Sequence, residues 1–154
     1  MKTVNIRKML EADVAAVVVI EKESSIEPWS EKLFCDCIMV GYNCWVLENN
    51  LGNCPEIIGF GLLSCAVGEA HILNVVVGSK WRHQGLGKRM MKHLINIARE
   101  LKADIVYLET RESNLIAREL YKKLSFVEIG IRKGYYPTVG DGREDAVTLA
   151  LGLL

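Results

Sequence analysis

The segment Trp81-Arg82-His83-Gln84-Gly85-Leu86-Gly87-Lys88 joins an apolar run ending at Val77 to the strongest helical pattern in the chain. Glycines at a helix entrance let the backbone approach a ligand closely. The first N–H groups of the helix have no partner within it and carry a fractional positive charge. That combination suits a phosphate. Spacing narrows the kind of loop. A dinucleotide-binding turn needs a third small residue three positions after Gly87, where Met90 stands, and a Walker loop needs Ser or Thr after its lysine, where Arg89 follows Lys88. Both are excluded, leaving Arg82-x-x-Gly85-x-Gly87. A second reactive group follows in Tyr107-Leu108-Glu109-Thr110-Arg111-Glu112-Ser113-Asn114 and Leu120-Tyr121-Lys122-Lys123-Leu124-Ser125-Phe126. From residue type alone, Glu109 reads first as a strand-end carboxylate facing solvent or paired with Arg111 or Arg118. Tyr121 reads as a core aromatic with a wet hydroxyl.

The elements that must position these groups alternate between period two and period 3.6, the mark of a mixed α/β domain. Thr3 to Lys8 is a first strand and Glu11 to Glu23 a helix that buries Val14, Val17, Val18 and Ile20. Ser30 caps a second helix. Trp29 before it can reach Phe34 as a hydrophobic staple, and Pro28 fixes the entry. Cys44 to Glu48 and Ile57 to Cys65 form a hairpin or meander across a turn-rich segment. Ala70 to Val77 is expected at the sheet centre, buried on both faces through Leu73, Val75, Val76 and Val77. The helix after Gly87 presents Met90, Met91, Leu94, Ala98 and Leu101 along one face. Asp104 to Thr110 is a strand, Asn114 to Leu124 a helix, and Phe126 to Arg132 and Ala146 to Leu151 closing strands.

The chain has 154 residues, half of them apolar, which is the size and composition of a single domain spanning 1–154. Nineteen basic and nineteen acidic residues give zero net charge, so no overall field favours nucleic acid. Apolar runs such as Val14 to Ile20 are far too short to span a membrane, and the first residues do not read as a signal peptide. The expected location is the cytoplasm. Cys35, Cys37, Cys44, Cys54 and Cys65 are an odd set expected as free thiols, and no second pair accompanies Cys35-Asp36-Cys37 to make a metal site. His71 and His93 read as structural or surface residues, and Lys122-Lys123 as a solvated helix face.

Arg82-x-x-Gly85-x-Gly87 between a strand and a helix resembles the acetyl-coenzyme A signature of the GNAT acetyltransferases. The later block resembles that family's fifth strand and following helix. Leu108-Glu109-x-Arg111-x-Ser113-Asn114, Pro28-Trp29-Ser30-Glu31-Lys32, Tyr135-Tyr136-Pro137 and Asp141-Gly142-Arg143-Glu144-Asp145-Ala146 resemble, more narrowly, the RimI-type ribosomal-protein-alanine N-acetyltransferases. The resemblance covers nearly the whole chain from the second helix onward. It departs at Ser125, where the family usually has glycine, and at His83, where it usually has Arg or a similar residue. Serine is strained there only if its φ is positive.

The resemblance implies a twisted, mostly antiparallel sheet of about seven strands flanked by about four helices, splayed at its two central strands. It implies acetyl-coenzyme A as co-substrate, with the backbone of Val75, Val76 and Val77 along the pantetheine arm. His83, Gln84, Gly85, Leu86, Gly87 and Lys88 would hold the pyrophosphate, and Asn114 would add a contact. The acceptor it implies is the N-terminal tail of a ribosomal protein, bound by a monomer or weak dimer without metal. An α-amine near pKa 8 is partly neutral at pH 7, whereas a lysine side chain would cost about 3 to 4 kcal/mol more to deprotonate. Glu109 is then the candidate base, acting through water where direct reach fails, and Tyr121 the candidate acid for the leaving thiolate. Trp29, Tyr135 and Tyr136 are candidate walls of a peptide groove, or else pack under their loops. Competing readings are a GNAT enzyme acting on lysine, a polyamine or an aminoglycoside, with Glu112, Asp141, Glu144 and Asp145 making an acidic pocket, and a non-catalytic coenzyme A module.

Overall fold

A computed structural model describes residues 3–154. Its elements in chain order are β1 (Val4–Lys8), a 3₁₀ turn (Glu11–Asp13), α1 (Val14–Ser24), α2 (Glu31–Met39), β2 (Asn43–Asn49), β3 (Glu56–Ala66) and β4 (Glu69–Val77). A second 3₁₀ turn (Ser79–Trp81) leads to α3 (Leu86–Glu100), β5 (Ile105–Arg111), α4 (Leu115–Lys123), β6 (Val127–Pro137) and β7 (Arg143–Gly152). The strands form one seven-stranded sheet in the order β1-β2-β3-β4-β5-β7-β6. The β4–β5 contact is parallel and the other pairs are antiparallel, as the resemblance implied.

Helices cover both faces of the first half of the sheet. Val14, Val17 and Ile20 of α1 and Phe34 of α2 bury against Val46, Phe60 and Leu62. On the opposite face Met90, Met91, Leu94 and Ala98 of α3 meet Leu47, Ile58 and Leu63. A side chain at Gly61 would begin 2.8 Å from Met90 Cγ, so α3 rests on bare β3 backbone. Leu101, assigned by periodicity to the same stripe, lies past the last turn and is exposed. Its neighbours Lys102 and Ala103 close the helix, their N–H groups donating to the carbonyls of Arg99 and Ala98.

Other boundaries differ from the sequence reading for local reasons. The first helix starts at Val14 and not at Glu11, because the Asp13 carboxylate accepts the Leu10 N–H and a bidentate pair from Arg7 at 2.8 and 2.9 Å, holding the preceding turn in 3₁₀ form. The sixth strand runs on to Pro137, since β7 begins at Arg143 and keeps pairing with it. Tyr135 and Tyr136 therefore sit on a strand. At Ser30 the expectation holds: its hydroxyl accepts the Leu33 N–H at 3.1 Å, and the Trp29 and Phe34 rings lie 5.4 Å apart. No helix among the described residues is long and apolar enough to cross a membrane.

Candidate active site

The sheet opens at its centre. β4 and β5 pair only from Glu69 to His71 with Ile105 to Tyr107, and beyond that point they diverge. Val75 and Val77 still pair with Gly61 and Gly59 of β3. Among the described residues no strand pairs with their other edge. This is why Val75, Val76 and Val77 are half-buried, against the expectation of burial on both faces. An extended ligand can take the missing place by strand-like pairing.

The α3 entrance lies at the end of that edge. His83 and Gly85 both have left-handed backbones, with φ of +63° and +78°. The first helical bond runs from the Arg89 N–H to the Gly85 carbonyl, so the N–H groups of Leu86, Gly87 and Lys88 precede the ladder and can meet an anion. A side chain at Gly87 would begin 3.9 Å from Val77 Cγ2 and 4.0 Å from Leu120 Cδ2, ordinary packing distances. Protein packing does not require glycine there, and the bare backbone leaves room for a ligand to approach closely. These backbone features fit the phosphate cradle read from the sequence. Arg82 serves a structural purpose instead, since its Nε donates to the Val77 carbonyl at 3.1 Å and its Nη2 to Ser24 Oγ at 3.0 Å, fastening β4 to α1. Asn114 caps α4 by accepting the Ala117 N–H at 3.2 Å, which leaves its amide NH₂ for a ligand.

Glu109 stands opposite Thr148 on the β5–β7 pair, on the face away from α3, where Tyr107 and Arg111 also point. Its Oε2 accepts a hydrogen bond from Thr148 Oγ1 at 3.0 Å and an ion pair from Arg132 Nε at 2.8 Å. Oε1 takes part in neither. The partner is thus neither Arg111, which pairs with Glu144 at 3.0 Å, nor Arg118, which pairs with Glu128 at 2.9 Å. Arg132 also lies 5.1 Å from the Tyr135 ring, Tyr135 meets Tyr136 edge-on at 4.9 Å, and Arg111 lies 4.7 Å from the Tyr136 ring. Burial pushes the Tyr136 hydroxyl pKa up to about 12, with the nearby Glu109, Tyr135 and Tyr121 adding to the shift.

Tyr121 approaches from α4. Burial alone raises its pKa, which keeps the hydroxyl protonated. Its ring packs 6.0 Å from Phe126, and the Phe126 N–H donates to the Tyr121 carbonyl at 3.0 Å. The Ser125 N–H donates to the Lys122 carbonyl at 2.9 Å, completing a Schellman closure with Ser125 at φ of +74°. The position is one that favours glycine, so the sequence departure carries strain. Glu109 and Tyr121 both act on Tyr136, each raising its pKa, although Glu109 lies on the sheet face away from α3 and Tyr121 packs against the α3-side core. Trp29 packs against the α1–α2 core with its indole half-buried, so part of the ring stays at the surface of its loop.

Sequence reasoning missed Arg132 and Thr148, the two residues that hold Glu109. Strand alternation was the available signal, since Arg132 pairs with Ala146, two positions from Thr148 and on the same face. It also missed Glu21, a carboxylate only 2% exposed that accepts the Trp29 N–H at 2.9 Å and the Asn74 amide at 3.2 Å. The proposed acidic pocket is a mixed-charge groove of about 500 Å³ in which Arg118 and Arg143 accompany Glu112, Glu144 and Asp145.

Comparison with known proteins agrees with this fold. Residues 12–126 match the model of the Acetyltransferase (GNAT) family. The chain is 36% identical over 139 residues to the [Ribosomal protein bS18]-alanine N-acetyltransferase of Escherichia coli, covering 90% of each protein. It is 35% identical to the Haemophilus influenzae protein of the same name, over 90% of this chain and 91% of that one. The crystal structure of the ribosomal-protein-S18-alanine N-acetyltransferase from Escherichia coli superposes with a TM-score of 0.88 at 34% identity, covering 97% of this chain and 94% of that one.

Proposed function

The chain belongs to the GNAT acetyltransferase family and is an acyltransferase, and on that premise we propose that it acetylates the N-terminal α-amine of a ribosomal protein, with alanine first, using acetyl-coenzyme A. The observation that carries this reading is the β4 edge left open beyond His71, leading to the N–H groups of Leu86, Gly87 and Lys88 at the α3 entrance. The names of the relatives support the acceptor; each is a ribosomal-protein-alanine N-acetyltransferase.

Acetyl-coenzyme A supplies an activated acyl group and a thiolate as leaving group. The open edge of Val75 to Val77 orients the pantetheine arm, and the N–H groups of Leu86, Gly87 and Lys88 hold the pyrophosphate. Glu109 takes the proton of the incoming ammonium, through water, at Oε1, while Thr148 and Arg132 fix the carboxylate by Oε2. Tyr121 gives its proton to the departing sulfur. Its burial suits that duty, because a raised pKa keeps the proton in place through the neutral range. Tyr136, pushed up to about 12, likewise stays neutral and offers the substrate backbone a hydroxyl. The polycation alternative loses its main support: Glu144 is held by Arg111 and the Ser113 N–H, and Asp145 by the Gly134 N–H and Lys133.

The test is incubation with acetyl-coenzyme A and a peptide that begins with Ala and contains an internal lysine, followed by mass-spectrometric location of the acetyl group. Acetyl on the α-amine is expected. Modification of the lysine instead, or no product with any N-terminal peptide despite coenzyme binding, would overturn the reading.

A further inference from the structure

Glu21 lies in the last turn of α1 with 2% of its surface exposed. A buried carboxylate loses its hydration and must be compensated. No ion pair among the described residues compensates it; two neutral donors do, one on each oxygen. Oε2 accepts the Trp29 N–H at 2.9 Å, and Oε1 accepts Asn74 Nδ2 at 3.2 Å. A core that needed only stability would be served as well by an apolar side chain in this place.

The second donor is there because β4 is irregular. Leu62 pairs with Asn74 and Leu63 with Ile72, so Leu73 is an extra residue and the register shifts between them. In a regular strand Asn74 would share a face with Ile72, which packs on the α3 side. The bulge turns it to the α1 side, where Leu73 and Val76 also lie. Asn74 immediately precedes Val75 to Val77, the open edge. A second tie closes the same segment from its other end, because Arg82 joins the Val77 carbonyl to Ser24. The final turn of α1 is therefore fastened at both ends of the coenzyme-facing stretch, and from the same carboxylate it holds the backbone of the loop that carries Trp29.

We propose that Glu21 is a positioning residue that couples the coenzyme-binding edge of β4 to the Trp29 loop, so that filling the first favours peptide binding at the second. The inference rests on the proposed N-terminal acetylation and on the sequence-based candidacy of Trp29 as a wall of the peptide groove. Coupling of this kind is reciprocal and typically amounts to about 5- to 150-fold in affinity.

The experiment compares wild type, Glu21→Gln, Asn74→Ala and the double variant Glu21→Gln/Asn74→Asp. A glutamine has one acceptor and one donor end, so Glu21→Gln leaves one of the two donors facing an NH₂ group. The double variant exchanges donor for acceptor: the new amide oxygen can accept from Trp29 while its NH₂ donates to the new carboxylate. The readouts are KM for peptide at saturating acetyl-coenzyme A, Kd for coenzyme A in the absence of peptide, kcat, and amide exchange at Trp29 by NMR with and without coenzyme A. Expected are a peptide KM raised about tenfold in both single variants, a coenzyme A Kd without peptide within about twofold of wild type, and recovery in the double variant. Coenzyme A should slow Trp29 exchange in wild type and the double variant but not in the single variants. Equal slowing in all four proteins, a coenzyme A Kd without peptide that rises as much as the peptide KM, or no recovery in the double variant would overturn the proposal. Asn74→Ala decides the matter if Glu21→Gln does not fold. If wild type acetylates no peptide, the functional reading fails while the exchange measurement still decides the coupling.

Discussion

The proposed coenzyme cradle and the proposed acceptor groove are built by opposite means. The cradle is backbone: an unpaired β4 edge, left-handed residues at His83 and Gly85, and N–H groups at the start of α3. The groove is side chain: Glu109 from β5, Thr148 from β7, and Arg132, Tyr135 and Tyr136 from β6, linked by contacts between 2.8 and 5.1 Å. Backbone recognition tolerates most substitutions that preserve conformation, because every residue supplies the same N–H group. A side-chain network depends on each member. Zero net charge is compatible with phosphate binding for the same reason, since the charge at a helix entrance belongs to the peptide units.

The largest effect that can separate the two regions is on proton transfer. Glu109→Gln should lower kcat by about 10²- to 10⁴-fold while leaving the affinity for coenzyme A unchanged in calorimetry. Tyr121→Phe should also lower kcat, and the wild-type alkaline limb assigned to Tyr121 should lie above pH 10. The sign follows from burial, which raises that pKa, so the acid form persists to higher pH than for a free tyrosine. Full kcat in both variants would remove the groove from the chemistry.

Gly87→Val is the converse test. The surroundings leave ordinary contact distances for an added carbon, and valine is a better helix former than glycine, so melting temperature should hold or rise. Coenzyme affinity should fall about tenfold, as expected when a close backbone approach is blocked. Unchanged affinity would show that the ligand does not approach the backbone at this turn.

Arg132→Gln should have a smaller effect. The arginine is more than half exposed, which weakens its pairing through solvent screening, and Thr148 still holds the same carboxylate oxygen. A fall in kcat of about three- to tenfold, shrinking at high ionic strength where the wild-type contact is itself screened, is expected from the loss of one partly screened contact. A loss as large as that of Glu109→Gln would make Arg132 part of the reacting group.

The same division explains which parts could be read from the sequence. Ser30, Trp29 and Phe34 are neighbours in the chain, and their cap and staple were legible as spacing. Gly85 and Gly87 were legible because a turn into a helix is a local event. Arg132 was not: it reaches Glu109 across β7, so its role depends on strand order and register, both set by the whole sheet. The half-burial of Val75 to Val77 was hidden for a related reason, since an apolar run looks the same whether a neighbouring strand accompanies it throughout or diverges midway. Asn74 needed a bulge to reach Glu21, and nothing in its immediate neighbours announces one.

The smallest effect concerns the support beneath Tyr121. Ser125 holds φ of +74° at the position after the α4 cap, and its N–H and that of Phe126 close the helix onto Lys122 and Tyr121. A non-glycine residue in this conformation costs about 1 to 2 kcal/mol, and glycine returns some of that through the greater freedom of the unfolded chain. Ser125→Gly should therefore stabilise by about 0.5 to 1 kcal/mol, a rise in Tm of roughly 1 to 4 °C for a chain of this size. Because the closure contacts the backbone of Tyr121 and the ring packs on Phe126, the substitution should leave kcat within about twofold, far below the change from removing a general acid. A melting temperature that falls would mean that the serine hydroxyl contributes more than its backbone strain takes away. A large change in kcat at unchanged stability would instead place the α4 closure within the geometry of proton transfer, extending the side-chain-built region by one more helix.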